Sequence, residues 1–134
     1  EVICEANLGL LLLEAGGGRE AAALLAAAER TFLWQRRREL AGIMGLALAA
    51  CAAQDGTRPG WQTAWTPASE AIASTAFTSY DVARVAEIGA ERAMARGWRA
   101  EAIEALELAA QQWAALERGE DRDRVATRLM AIRA

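Results

Sequence analysis

The chain has 134 residues and is 54% hydrophobic, enough to bury one sizeable core without disulfides or metal, and too apolar to be disordered. Its 34 alanines and 15 leucines stand against only 4 valines and 6 isoleucines, a mix that favours helix and starves strands. All 15 basic residues are arginine, there is no histidine, and the net charge is −3. Binding to nucleic acid by counterion release is therefore disfavoured, and Ser-His dyads, Cys-His dyads and histidine metal sites are excluded. Cys4 and Cys51 lie far apart in sequence, as free thiols of a reducing compartment do, and are read as buried small apolar residues. No apolar run approaches a membrane span and no signal segment is present, so the expected location is cytoplasmic, with no membrane partner and no cofactor. Glu1 opens directly into an apolar helical pattern, as in a piece of a longer chain.

Glycines, prolines and polar clusters mark the breaks. A first helix is expected over about residues 2 to 15, with Cys4, Leu8, Leu11 and Leu12 at helical spacing and a leucine run from 10 to 13 that needs cover on two sides. After Gly16, Gly17 and Gly18, a second helix from Arg19 to about Leu33 places Ala21, Leu24, Leu25 and Ala28 on one face. Arg36 to Ala53 reads as a third helix with Leu40, Ile43, Met44 and Leu48 inward, although neither glycine nor proline separates it from the second, so one long bent helix is an alternative.

The segment from Gln54 to Thr66 reads as a loop, and Thr66 followed by Pro67 as the start of a fourth helix running to about Phe77. Ser79 or Asp81 can cap a fifth helix, which carries Val82, Val85 and Ile88 and ends at Gly97. A sixth spans about Trp98 to Glu117 with Ala102, Ile103, Leu106, Ala109 and Trp113 inward. Asp121 or Asp123 begins a seventh with Val125, Leu129 and Ile132 on a narrow stripe.

The pattern repeats. Gly16, Glu20, Ala21, Leu25 and Ala28 recur as Gly97, Glu101, Ala102, Leu106 and Ala109 at one constant offset. Leu8, Gly9, Leu12, Gly16, Ala21, Leu25 and Ala28 in the first hairpin, and Ala90, Ala93, Gly97, Ala102, Leu106 and Ala109 in the last, resemble the tetratricopeptide repeat (TPR) family in order and size. The middle copy is degenerate, with Gly45 and Leu48 fitting a first helix and Ala68, Ile72 and Thr75 a second; matching Ala68 to Ala21 leaves an insertion around residues 54 to 66. The usual proline after the second helix is absent, Leu33 standing there. The alanine- and arginine-rich, lysine-free style is similar to TPR regions attached to bacterial serine/threonine kinases or transcriptional regulators.

The resemblance implies an all-α fold in a single domain over 1–134: a right-handed superhelix of three hairpins (about 2–35, 36–77 and 79–117) with a C-terminal capping helix (about 121–133), some seven helices in all. It also implies a protein-protein interaction scaffold in signalling rather than an enzyme, with a concave face lined by the first helix of each hairpin. Carried over, that face comprises Leu10, Leu13, Glu14, Glu39, Leu46, Arg84, Glu87, Glu91 and Met94. The lysine and asparagine clamp that some family members use for carboxylate termini cannot be built, because lysine is absent and Asn7 is the one asparagine. The expected partner is a protein or peptide, amphipathic and basic, that pairs with Glu87 and Glu91. The alternative is a structural or oligomerisation module that contacts its own chain or identical copies, for instance a homodimer through the first hairpin.

Other features weigh less. Trp34 and Trp113 near the ends of second helices read as packing, whereas Trp61 and Trp65, flanking the expected loop, are a candidate loop site. Arg36, Arg37 and Arg38 read as a solvated helix start, and the triple glycine as a turn, since no Gly-Lys-Ser/Thr follows it.

Overall fold

The computed structural model describes residues 1–134 as seven α-helices and no strand: α1 (Val2–Glu14), α2 (Gly18–Trp34), α3 (Arg38–Asp55), α4 (Arg58–Ser74), α5 (Tyr80–Ala95), α6 (Arg99–Ala115) and α7 (Gly119–Arg133). The helices divide into two units, Glu1–Phe77 and Thr78–Ala134. In the first, α1 packs on α2, α2 on α3 and α3 on α4; in the second, α5 packs on α6 and α6 on α7.

One device ends each of the first six helices. Gly16, Arg36, Gly56, Ala76, Gly97 and Glu117 are the chain's left-handed residues, 20 or 21 positions apart. At each, the following amide donates five residues back, as Gly17 N does to Leu12 O at 2.8 Å, Arg37 N to Phe32 O at 2.8 Å and Arg118 N to Trp113 O at 2.9 Å. These bonds make six Schellman motifs, which satisfy carbonyls the helix cannot reach and fold the chain back at once. The accompanying side-chain contact is cationic in two of them: the Arg37 guanidinium lies 5.5 Å from the Phe32 ring centre, and Arg118 lies 5.3 Å from Trp113.

The break between the second and third helices is therefore real: Arg36, with φ of 59°, divides them. The expected loop at 54–66 is corrected. Thr57 Oγ1 accepts from Gly60 N at 3.2 Å, so the cap and early-proline pattern operates at Thr57 and Pro59, nine residues before Thr66. Pro67 lies inside α4. Residues 58–66 form that helix's first turns, and no insertion remains. Counted from their turn glycines, Gly56, Trp61, Trp65 and Ala68 occupy the places of Gly16, Ala21, Leu25 and Ala28, and of Gly97, Ala102, Leu106 and Ala109; every one of these helical positions is buried. The seventh helix likewise starts two residues before Asp121, at Gly119.

Two tryptophans fit where the other hairpins have alanine and leucine because their partner helix is small. Beside Ile43, Met44, Leu46 and Cys51, α3 buries Ala41, Gly42, Gly45, Ala47, Ala49, Ala50 and Ala53, and these small positions leave room for large side chains on α4. Trp61 and Trp65 stack with ring centres 5.0 Å apart and planes 11° from parallel. The small positions also let the helices touch: a Cβ on Gly45 would lie 2.7 Å from Ala68 Cβ.

Candidate functional site

The residues expected to line a concave face separate into three kinds. Leu13, Leu46 and Glu87 are buried and belong to the core, which corrects their assignment to an open surface. Leu10, Glu39 and Arg84 are half-buried, whereas Glu14, Glu91 and Met94 are exposed. Trp61 and Trp65 are core residues of α4, so the loop-site assignment is corrected too. Trp34, expected to pack, is 86% exposed at the end of α2, and Cys4, expected inside, is exposed while Cys51 is buried.

The acidic pair already has a cationic partner, and it is a helix. Arg124 of α7 places Nη2 at 2.9 and 2.8 Å from the two Glu87 carboxylate oxygens, while Trp113 Nε1 donates to Glu87 Oε2 at 2.8 Å. Arg124 is braced from behind by Asp121, which also accepts from Arg118, and Arg118 lies against Trp113 and Tyr80. Those arginines hold the Asp121 carboxyl below its usual range, the Arg124 bond first among them. Glu91 faces Arg128 of α7 at 3.5 Å. Arginines of the chain's own α7 thus occupy Glu87 and Glu91.

A cavity lies in the first unit. A groove of about 640 Å³ runs along α3 between α2 and α4, within the usual size of a ligand-holding cleft. Gly42 is part of its lining, at a point where α3 and α4 close on each other: a Cβ there would come within 3.0 Å of Ile72 Cδ1. Ala41, Leu48, Ala64, Ala68 and Ala71 make it apolar, Leu33 forms part of the α2 wall, and Arg38 closes one end with Nη2 donating to Ser74 Oγ at 3.2 Å.

A carboxylate interrupts this apolar lining. Glu29 lines the groove, and its Oε2 lies 3.3 Å from the point where a Gly45 Cβ would be. Burial pushes its carboxyl above the usual value, with neighbouring Arg30 opposing only in part. On the opposite wall Pro67 has no N–H, so the Thr63 carbonyl lacks its i+4 donor, and Thr63 and Pro67 both line the groove. The arrangement offers hydrogen-bond acceptors inside an apolar trough and suits a donor-rich cation on an apolar body. Sequence reasoning missed Glu29, Thr63 and Pro67 as a set. A charge one turn from both Leu25 and Leu33 is the sole signal for Glu29, and nothing in the sequence joins it to Pro67.

No three cysteine, aspartate or glutamate side chains cluster as metal ligands would, and no helix is long and apolar enough to cross a membrane. Compared with known proteins, the chain matches no family model, and no curated protein or solved structure shows significant similarity to it.

Proposed function

We propose that the chain is a protein-interaction module of the TPR-like helical-repeat class, its hairpins set in a right-handed superhelix, and that it holds a partner segment in the groove of α2, α3 and α4. The observation that carries the reading is Glu29, a half-buried carboxylate in a groove lined mainly by small and apolar residues. A short apolar segment fills the trough, and a central arginine donates to Glu29 and to the Thr63 carbonyl. The bond to a charged acceptor, partly shielded from water, is worth about 1.5–3 kcal/mol. The regular left-handed turns and the shared buried positions of the hairpins support the repeat class.

The test uses a capped pentapeptide, Ala-Leu-Arg-Leu-Ala, followed by amide shifts in NMR. Shifts gathered on Gly42, Gly60, Ala64 and Ala71, lost when the peptide's arginine is glutamate and weakened roughly tenfold by Glu29→Gln, support the reading. Unchanged affinity in Glu29→Gln rejects the groove.

A second reading, a module that contacts only its own chain or copies, draws support from the way Arg124 and Arg128 occupy Glu87 and Glu91 internally. Light scattering on dilution separates the two, since an assembly module is dimeric at micromolar protein and a groove binder is not.

A further inference from the structure

The internal repeat says what belongs on the open face of α1. Forty residues separate the turn glycines Gly16 and Gly56, so Cys4, Leu8 and Leu11 of α1 correspond to Met44, Leu48 and Cys51 of α3. Eighty-one residues separate Arg36 from Glu117, so the same positions in α7 are Val125, Leu129 and Ile132. In α3 and α7 this stripe is buried or half-buried, and in both cases the preceding helix, α2 or α6, packs on the element that carries it. In α1 the stripe is uncovered: Leu8 is 49% exposed, Leu11 is 64% exposed, and Cys4 and Ile3 are exposed beside them. One position thus carries the same apolar spacing three times, is packed in two elements and is open in the third.

We infer that the Cys4, Leu8 and Leu11 face of α1 is a docking surface for an amphipathic helix with an alanine and leucine stripe and basic flanks. The stripe follows from continuity with the packing of α2 on α3 and of α6 on α7. The flanks follow from charge, because α1 and its cap carry Glu1, Glu5 and Glu14 and no basic side chain. The same charge disfavours a second copy of α1 as occupant, since pairing this helix with itself brings three carboxylates against three. The surface differs from the groove of α2, α3 and α4, which no α1 residue lines.

Cys4 gives a direct readout, because Cys51 is buried and the exposed thiol lies on the face in question. The probe is a peptide with the sequence of residues 17–35, which in the chain packs on α3, made with Glu20→Gln and Glu29→Gln so that its net charge is positive. At roughly ten times its dissociation constant this peptide is expected to slow alkylation of Cys4 about tenfold. Leu11→Gln, at an exposed site with helicity and melting temperature checked, is expected to abolish the protection, and Met130→Gln on α7 to leave it intact. A peptide with Arg19→Gln and Arg30→Gln instead is expected to protect less. Absence of protection overturns the inference, as does protection that survives Leu11→Gln. Sedimentation showing a dimer that Leu11→Gln dissociates, without peptide protection in the wild type, overturns it in favour of a second copy.

Discussion

Arg124 closes on Glu87 across two helices, its terminal nitrogen within 2.9 Å of both carboxylate oxygens, and turns a buried charge on α5 into the attachment point of α7. The pair is asymmetric in exposure: Glu87 is 2% exposed, whereas the Arg124 side chain remains about half in water. Losing one partner is therefore costlier than losing both, since the carboxylate cannot rehydrate.

Arg124→Ala is expected to cost about 2–3 kcal/mol, at or just under the lower edge of values for wholly buried pairs because the arginine is half exposed. In a Glu87→Gln background, where Trp113 can still donate to the amide oxygen, the same change is expected to cost under about 1 kcal/mol. A double-mutant cycle by urea unfolding measures the difference, and additive losses reject Arg124 as the neutralising partner.

Gly45→Ala is expected to destabilise by about 2 kcal/mol, or roughly 6–10 °C in Tm, because the new methyl would lie 2.7 Å from Ala68 Cβ with the Ala64 carbonyl at 3.4 Å. Neither neighbour has a flexible end that can give way. Gly119→Ala is the matched control: nothing lies within 4 Å of the added Cβ, and the melting temperature is expected to hold or rise slightly. Equal losses at both sites would mean that helix propensity, and not the crossing of α3 with α4, decides.

Ala76 occupies a left-handed turn, φ 51°, where its Cβ meets the carbonyl that glycine avoids. Ala76→Gly is expected to stabilise by about 0.5–1 kcal/mol, the relief of that clash less the chain entropy that glycine surrenders. Gly56→Ala, at φ 78°, is expected to do the reverse. Thermal melts of the two variants, moving in opposite directions, check the turn geometry.

Glu29 sets a pH dependence of known sign. Its folded-state pKa is raised by burial, so its stabilising contribution is full in acid, below the ordinary carboxylate value, and is lost as pH rises through the raised one. Glu29→Gln is expected to melt higher than wild type at pH 7, with the gap closing as pH falls below about 4. A gap that persists in acid would assign the effect to packing. The groove peptide is expected to bind more tightly as pH rises through the same range, because its arginine needs the ionised carboxylate.

The helices were legible in the order of residues because alanine and leucine favour helix wherever they fall, and Gly16 and Gly97 were legible because left-handed backbone is cheap for glycine alone. Arg36, Ala76 and Glu117 adopt the same backbone with no local mark, so the break at Arg36 stayed open and the shift from Thr66 to Thr57 went unseen. Nor could Pro67 be read as a mid-helix residue from its neighbours, since Thr66 before it forms a better cap on paper than Thr57 does. Side-chain roles were harder still. Glu87 looks like any acidic residue on a helix until Trp113 and Arg124, 26 and 37 residues away, close over it. Glu29 becomes a candidate anchor only when Gly42 of α3 and Thr63 and Pro67 of α4 line one groove with it. Backbone preference is a property of each residue and its nearest neighbours, whereas burial and charge compensation are properties of whatever distant chain the packing brings alongside.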